Sequence, residues 1–147
     1  MKWIDDISKI FDQYFKDSFD KMGLLKYEQM EGPGMGALIK FKNDSFKIQI
    51  RNDRGILETE IAPLFGDEQF RGLEIYSSLI RLHQLDNKVD KLERRKILGR
   101  RIDHAGQRDF LVDNQVKLTK LLNRENYERT LQQIDGLGQG RFDLQFK

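Results

Sequence analysis

The 147-residue chain reads as an α+β domain with an N-terminal amphipathic helix, a four-stranded antiparallel meander and a helical C-terminal half. Three observations predict this. Apolar residues first recur at steps of three and four, then alternate at steps of two, then return to helical spacing. The divisions that follow are residues 1–23 helix, 24–63 sheet, 67–135 mainly helical and 136–147 a tail, all within one domain, 1–147. A chain of this length buries enough surface to hold a core without disulfides or structural metals.

In the first segment Trp3, Ile4, Ile7, Ile10, Phe11, Tyr14, Phe15, Phe19 and Met22 form one stripe. Asp5, Asp6, Lys9, Asp12, Lys16, Asp17 and Asp20 fill the opposite face, which makes the helix amphipathic. Asp5 and Asp6 suit the positive end of its dipole, and Gly23 supplies a C-terminal stop. Lys and Arg do not dominate the polar side, so the stripe reads as a core face and not a membrane face.

The period then changes to two. Leu24 to Glu31 reads as the first strand and Gly32-Pro33-Gly34-Met35-Gly36 as a loop. Ala37 to Lys42 is the second strand. In the third, Phe46, Ile48 and Ile50 alternate with Lys47, Gln49 and Arg51, giving one wet face. Ile56 to Ala62 is the fourth, stopped by Pro63. Asn43-Asp44 and Asn52-Asp53-Arg54-Gly55 are turns, the latter because Asn, Asp and Gly tolerate positive φ.

From Asp67 the spacing is helical. Asp67 is the expected cap, and Phe70, Leu73, Tyr76, Ile80 and His83 share one face. Residues 88–98 favour helix. For 96–112 two readings stay open: more helix, or a hairpin of Lys96–Ile102 with Gln107–Val112 that turns at Asp103-His104-Ala105-Gly106. Leu111, Leu118, Leu121 and Leu122 suggest another helix. Tyr127, Leu131 and Ile134 suggest a last one, capped by Asn123 and ended by Gly136, Gly138 and Gly140.

Several functional classes lose their support at this level. The chain has no cysteine, which removes disulfides, thiolate nucleophiles and Cys-based zinc sites. The start MKWIDDISKIF has no signal-peptide pattern, and no apolar run approaches the roughly 18 residues of a membrane span, so the expected location is the cytoplasm, with no membrane contact. His83 has no acidic residue at i+4, and His104 sits among Arg101, Asp103 and Arg108; neither offers metal-ligand spacing. No serine stands in a nucleophile-elbow or Ser-x-x-Lys context. The two glycine-rich pieces lack the lysine and the following helix of a phosphate loop. No catalytic residue, cofactor or metal is therefore expected, and the protein reads as non-enzymatic.

Two surfaces remain as candidate partner-binding sites. Glu58 and Glu60 project together from the exposed side of the fourth strand. Arg94, Arg95, Lys96, Arg100 and Arg101 lie in the window 88–108, which holds eight basic and three acidic side chains. The whole chain is nearly balanced, with 26 basic against 24 acidic residues, so it is not a general polyanion binder. The window reads either as a solvated helix face or as a contact for one of two partners. It can meet an acidic protein, or it can neutralise phosphates, although no aromatic residue interleaves it and no groove-reading motif accompanies it.

The order of elements carries a likeness. A helix ending in Gly23 leads into Ile48-Gln49-Ile50-Arg51-Asn52-Asp53-Arg54-Gly55, then a strand closing in Ile61-Ala62-Pro63-Leu64, then the Phe70–Leu85 helix. Over residues 4–85 this resembles small bacterial immunity-type proteins of polymorphic or contact-dependent toxin systems. The resemblance implies a protein-binding domain that occludes a cognate toxin, without turnover. A second likeness is to type III secretion chaperones, which also place a helix before a small sheet and hold partner proteins. Those are usually acidic and return to strands after their second helix, and this chain departs on both points.

Overall fold

The computed structural model describes residues 2–32, 36–86 and 88–146, with the side chains of residue 2 and of residues 138–146 outside the description. The chain opens with α1 (Lys2–Ile10), a π-helical turn (Phe11–Phe15) and α2 (Lys16–Lys21) in direct succession. The wide turn fits three phenylalanine rings to the sheet. Phe11, Phe15 and Phe19 are spaced by four, a spacing that drifts around a 3.6-residue helix. A turn closed by longer i→i+5 bonds takes up that drift and returns the rings to one side. Phe11 stacks on Phe41 at 5.0 Å, and Phe19 meets the same ring edge-on at 5.0 Å. Gly23, at φ +72°, ends the segment as the spacing predicts: Leu24 N–H bonds the Phe19 carbonyl at 2.9 Å and Gly23 N–H that of Asp20 at 3.2 Å.

The sheet has five strands, not four, in simple antiparallel order: β1 (Leu25–Gly32), β2 (Gly36–Lys42), β3 (Lys47–Asp53), β4 (Ile56–Ala62) and β5 (Arg71–Gly72). The added strand is only two residues and pairs Gly72 with Glu60 and Arg71 with Ile61. It explains a second correction. Asp67 caps nothing; residues 63–70 are irregular, and the helix expected from Asp67 begins at Leu73 as α3 (Leu73–Gln84). The Glu68 carboxylate reaches back to Tyr27, Lys40 and Lys47 on the sheet, which holds this segment away from a helical path. Of the loop expected at residues 32–36, positions 33–35 lie outside the described residues. Gly36 has a clear reason for its identity: φ is +84°, and a Cβ there would collide with the Asn52 carbonyl.

Asn52-Asp53-Arg54-Gly55 is a two-residue hairpin turn with positive φ at both Arg54 (+53°) and Gly55 (+103°), the I′ signature. Asn52 is fully buried; its side chain accepts from Gly55 N–H at 2.7 Å and donates to the Trp3 carbonyl at 3.2 Å. Asn43 does the same at the other end of β3, accepting from Ser45 and Phe46 and donating to the Met22 carbonyl at 3.0 Å. The two turns thus clamp both ends of the N-terminal helix onto the apolar face of the sheet, where Ile39, Phe41, Ile48, Ile50 and Ile61 are buried.

The second half is helical throughout: α4 (Lys91–Leu98), α5 (His104–Asp113), α6 (Gln115–Leu122) and α7 (Tyr127–Phe146). The hairpin alternative for 96–112 is therefore excluded, since Asp103-His104-Ala105-Gly106 is the first turn of a helix. Asn123 accepts from Asn126 N–H at 2.9 Å ahead of α7, as a capping residue should. The glycines from 136 on do not end α7, and the expected tail is its continuation to Phe146. Leu98, Leu111, Leu118, Leu122, Tyr127, Ile134 and Leu137 join Ile7, Phe15 and the sheet residues in one continuous apolar cluster. Replacing a fully buried member such as Leu118 by Ala would cost about 2–5 kcal/mol. No helix among the described residues is long and apolar enough to cross a membrane.

Candidate functional site

The basic window forms the junction of α4 and α5, and local chemistry explains why it is ordered. The Asp90 carboxylate accepts from Glu93 N–H at 2.8 Å and caps α4; the Asp103 carboxylate accepts from Gly106 N–H at 2.7 Å and caps α5. The end of α4 and the short segment after it are held by three bonds, two from α3 and one from α5. Ser78 of α3 donates to the Ile97 carbonyl at 3.1 Å, Glu74 of α3 accepts from Ile102 N–H at 3.1 Å, and Gln107 of α5 donates to the Ile102 carbonyl at 3.1 Å. Leu98 is buried beneath it.

On this framework Arg94 is half-buried and Arg95, Lys96, Arg100 and Arg101 are exposed. None of the five forms an ion pair among the described residues. Lys96 and Arg100 flank a depression of about 260 Å³, to which α3 adds Arg81 and Glu74. Arg81 was not among the residues singled out from sequence; it lies in an apolar-striped helix far from the window, and only the packing of α3 against α4 brings it in.

Glu58 and Glu60 behave differently from the free carboxylates expected of a wet strand face. The pairing register sets Arg51 opposite Glu58 and Gln49 opposite Glu60. Arg51 Nη2 lies 2.7 Å from Glu58, its Nε 3.3 Å from Glu60, and Gln49 donates to Glu60 at 2.8 Å. Their charge is largely spent inside the molecule. The same face carries a second cluster in which Lys40 pairs with Glu28 at 2.6 Å and with Glu68 at 3.4 Å. Burial pushes the Glu68 carboxyl up, but the Tyr27 hydroxyl, Lys40 and Lys47 outweigh it and hold the group below its ordinary range.

The two surfaces that look like alternatives in the sequence meet in space. Arg101, Glu58 and Glu60 line a single cleft of about 610 Å³ that wraps the outer edge of β4, together with His104 and Gln107. Here β5 covers only Glu60 and Ile61, so the outer edge of residues 56–59 has no strand beside it among the described residues. His104 Nδ1 and Gln107 Oε1 are buried in the same region without a hydrogen-bond partner among the described residues. The His104 ring rests 5.6 Å from Tyr14 and 6.5 Å from Phe15, so this histidine joins α5 to the N-terminal helix. His83, expected on the buried face of α3, is exposed in its last turn, beside the buried Leu82. Among the described residues no group of three or more His, Cys, Asp or Glu is placed to hold a metal ion.

Comparison with protein-family models, with curated proteins and with solved structures gives no match, so the functional reading rests on the chain's own residues.

Proposed function

We propose that this protein is a non-enzymatic recognition domain that binds and occludes an acidic protein partner through the α4–α5 junction, in the manner of an immunity-type inhibitor. The observation that supports it is the contrast in charge pairing. Lys40, Lys47 and Arg51 on the sheet have internal carboxylates, while Arg94, Arg95, Lys96, Arg100 and Arg101 have none among the described residues, on a backbone that is already capped and pinned. A backbone already fixed loses little further freedom on binding, and the planar Arg fork suits carboxylates. Electrostatic steering then raises the association rate with an acidic surface.

The test begins with capture from source cells by the wild type and by an Arg94→Glu/Arg95→Glu/Arg100→Glu/Arg101→Glu variant. A partner retained only by the wild type is then purified, and the complex is reconstituted and titrated over a salt series. The expected result is a stoichiometric complex with an acidic protein, a loss of about 100-fold or more in the variant, and inhibition of any activity the partner has. Binding to a labelled duplex with a steep salt slope, and no reconstituted protein complex, would instead identify a nucleic-acid-associated protein.

A further inference from the structure

The cleft beside β4 runs along the edge of the strand and not over one of its faces. Successive side chains of a strand point to opposite faces, so a cleft on one face meets every second residue. This one is lined by each of residues 56–60, together with the first turn of α3, Ile102 and Gln107. The β3–β4 ladder decides which backbone groups look into it. Asp53 and Ile56 close the two-residue hairpin and exchange hydrogen bonds, so the bonded positions of β4 are Ile56, Glu58, Glu60 and Ala62. Leu57, Thr59 and Ile61 therefore turn their N–H and C=O away from β3. β5 covers Ile61 and stops at Glu60. Leu57 has no backbone partner on that side among the described residues.

The two edges of the sheet are guarded differently. Strand edges are commonly blunted by a bulge, Pro, Lys or a covering segment. β1 has a bulge between Lys26 and Glu28, and its far end is tied to α1 by Ile4 N–H donating to the Glu31 carboxylate at 3.0 Å. Residues 56–59 keep an unbroken register with neither Pro nor Lys, and Ile56 is 66% exposed. This edge is recessed in a cleft instead. A second copy would bring an edge recessed in the same way, whereas a single extended chain fits.

We infer that the β4 cleft takes an extended segment of another protein, which adds antiparallel to residues 56–59 in line with β5. In strand addition, main-chain bonds give affinity and alternate side chains give specificity. Side chains opposite Leu57 and Thr59 fall on the core side of the sheet, where Leu57 is half-buried and Thr59 buried, and are apolar. The side chain between them falls on the outer face beside Glu58. There Glu58 and Glu60 share the single cation Arg51, which leaves this part of the edge negative and selects a basic residue. Arg94, Arg95 and Lys96 do not line the cleft, so the site stands apart from the α4 surface and its acidic partner.

The probe is the peptide acetyl-Thr-Val-Lys-Val-Thr-amide, titrated into isotope-labelled protein. It should shift the Leu57 and Thr59 amide signals saturably with Kd about 1 mM or below, and slow hydrogen exchange at Leu57 about fivefold or more. N-methylation of both valines removes the donors that face β4 and should weaken binding about tenfold or more. N-methylation of the lysine, whose amide faces away, should change it about twofold or less. Glutamate in place of the lysine should weaken binding about threefold, and Glu58→Gln in the protein should shrink that difference. Equal affinity for the two N-methylated peptides would overturn the inference. So would unmoved Leu57 and Thr59 signals in folded protein at about 10 mM peptide. Protection of Leu57 without peptide, with the diffusion coefficient of a dimer, would overturn it in favour of a second copy.

Discussion

The outer face of the sheet and the α4–α5 junction are both rich in charge, yet they use it in opposite ways. On the sheet, β-pairing sets opposite charges on neighbouring strands, and Arg51 with Glu58 and Glu60, or Lys40 with Glu28 and Glu68, close into local networks. At the junction the arginines sit on one short helix and its exit segment. Arg94, Arg95 and Lys96 carry the same sign and cannot neutralise one another, and the nearby acids Asp90 and Asp103 are occupied as caps. A charge that is internally neutralised belongs to stability. One that is ordered but unneutralised is available to a partner.

Four variants would break or sharpen this contrast. The largest stability effect should come from Arg51→Met. It leaves Glu60, whose side chain is 12% exposed, with Gln49 as its remaining partner, and a loss of about 1–3 kcal/mol in urea unfolding is expected. Adding Glu60→Gln to that variant should recover part of the loss, because the orphaned carboxylate is removed; no recovery would show that Arg51 acts through packing instead.

Glu68→Gln should have a smaller effect, about 1 kcal/mol or less at neutral pH, visible mainly in the acid limb of a stability-against-pH curve. Because the folded Glu68 carboxyl is held below its unfolded value of about 4.3, its contribution is present above that value and is lost as pH falls through the folded one. The variant should therefore be flatter than wild type below about pH 4.5. Lys40 acts on the other limb. Burial lowers it, but Glu28 and Glu68 raise it further, so its contribution is present below the unfolded lysine value and fades as pH rises through the folded one.

The smallest change should come from the junction. Arg95→Ala/Lys96→Ala/Arg100→Ala/Arg101→Ala removes four exposed cations without protein partners and should shift stability by about 0.5 kcal/mol or less, while abolishing partner binding. A loss above about 2 kcal/mol would mean that these side chains hold the junction together, and the proposed division of labour would fail.

What the local pattern reveals follows from short-range physics. Gly23 as a Schellman stop, Asn52-Asp53-Arg54-Gly55 as a hairpin, and Pro63 after β4 each depend on backbone preferences within a few residues, and all three are visible in the sequence. The extended run of strands is visible for the same reason. The two residues of β5 are not, since Arg71-Gly72 has no strand period and pairs only because β4 offers a free edge. The π-helical turn was also out of reach, as its cause is the fit of Phe11 and Phe19 against Phe41 on a distant strand.

The candidate sites divide along the same line. Clustering of Arg94, Arg95, Lys96, Arg100 and Arg101 is a property of sequence distance, so composition alone finds it. That Glu58 and Glu60 are neutralised depends on strand register, and that they share a cleft with Arg101 depends on α3, which packs on β4 and bonds the segment before α5. Burial of Asn52 against Trp3 is likewise long-range. By itself the sequence determined the α+β class, the position of most turns and the charge-rich window, because hydrophobic period, φ tolerance and charge density are local quantities. Only the tertiary structure decided which charges are cancelled and which are left for a partner, because cancellation requires side chains far apart in the chain to come within a few ångströms of each other.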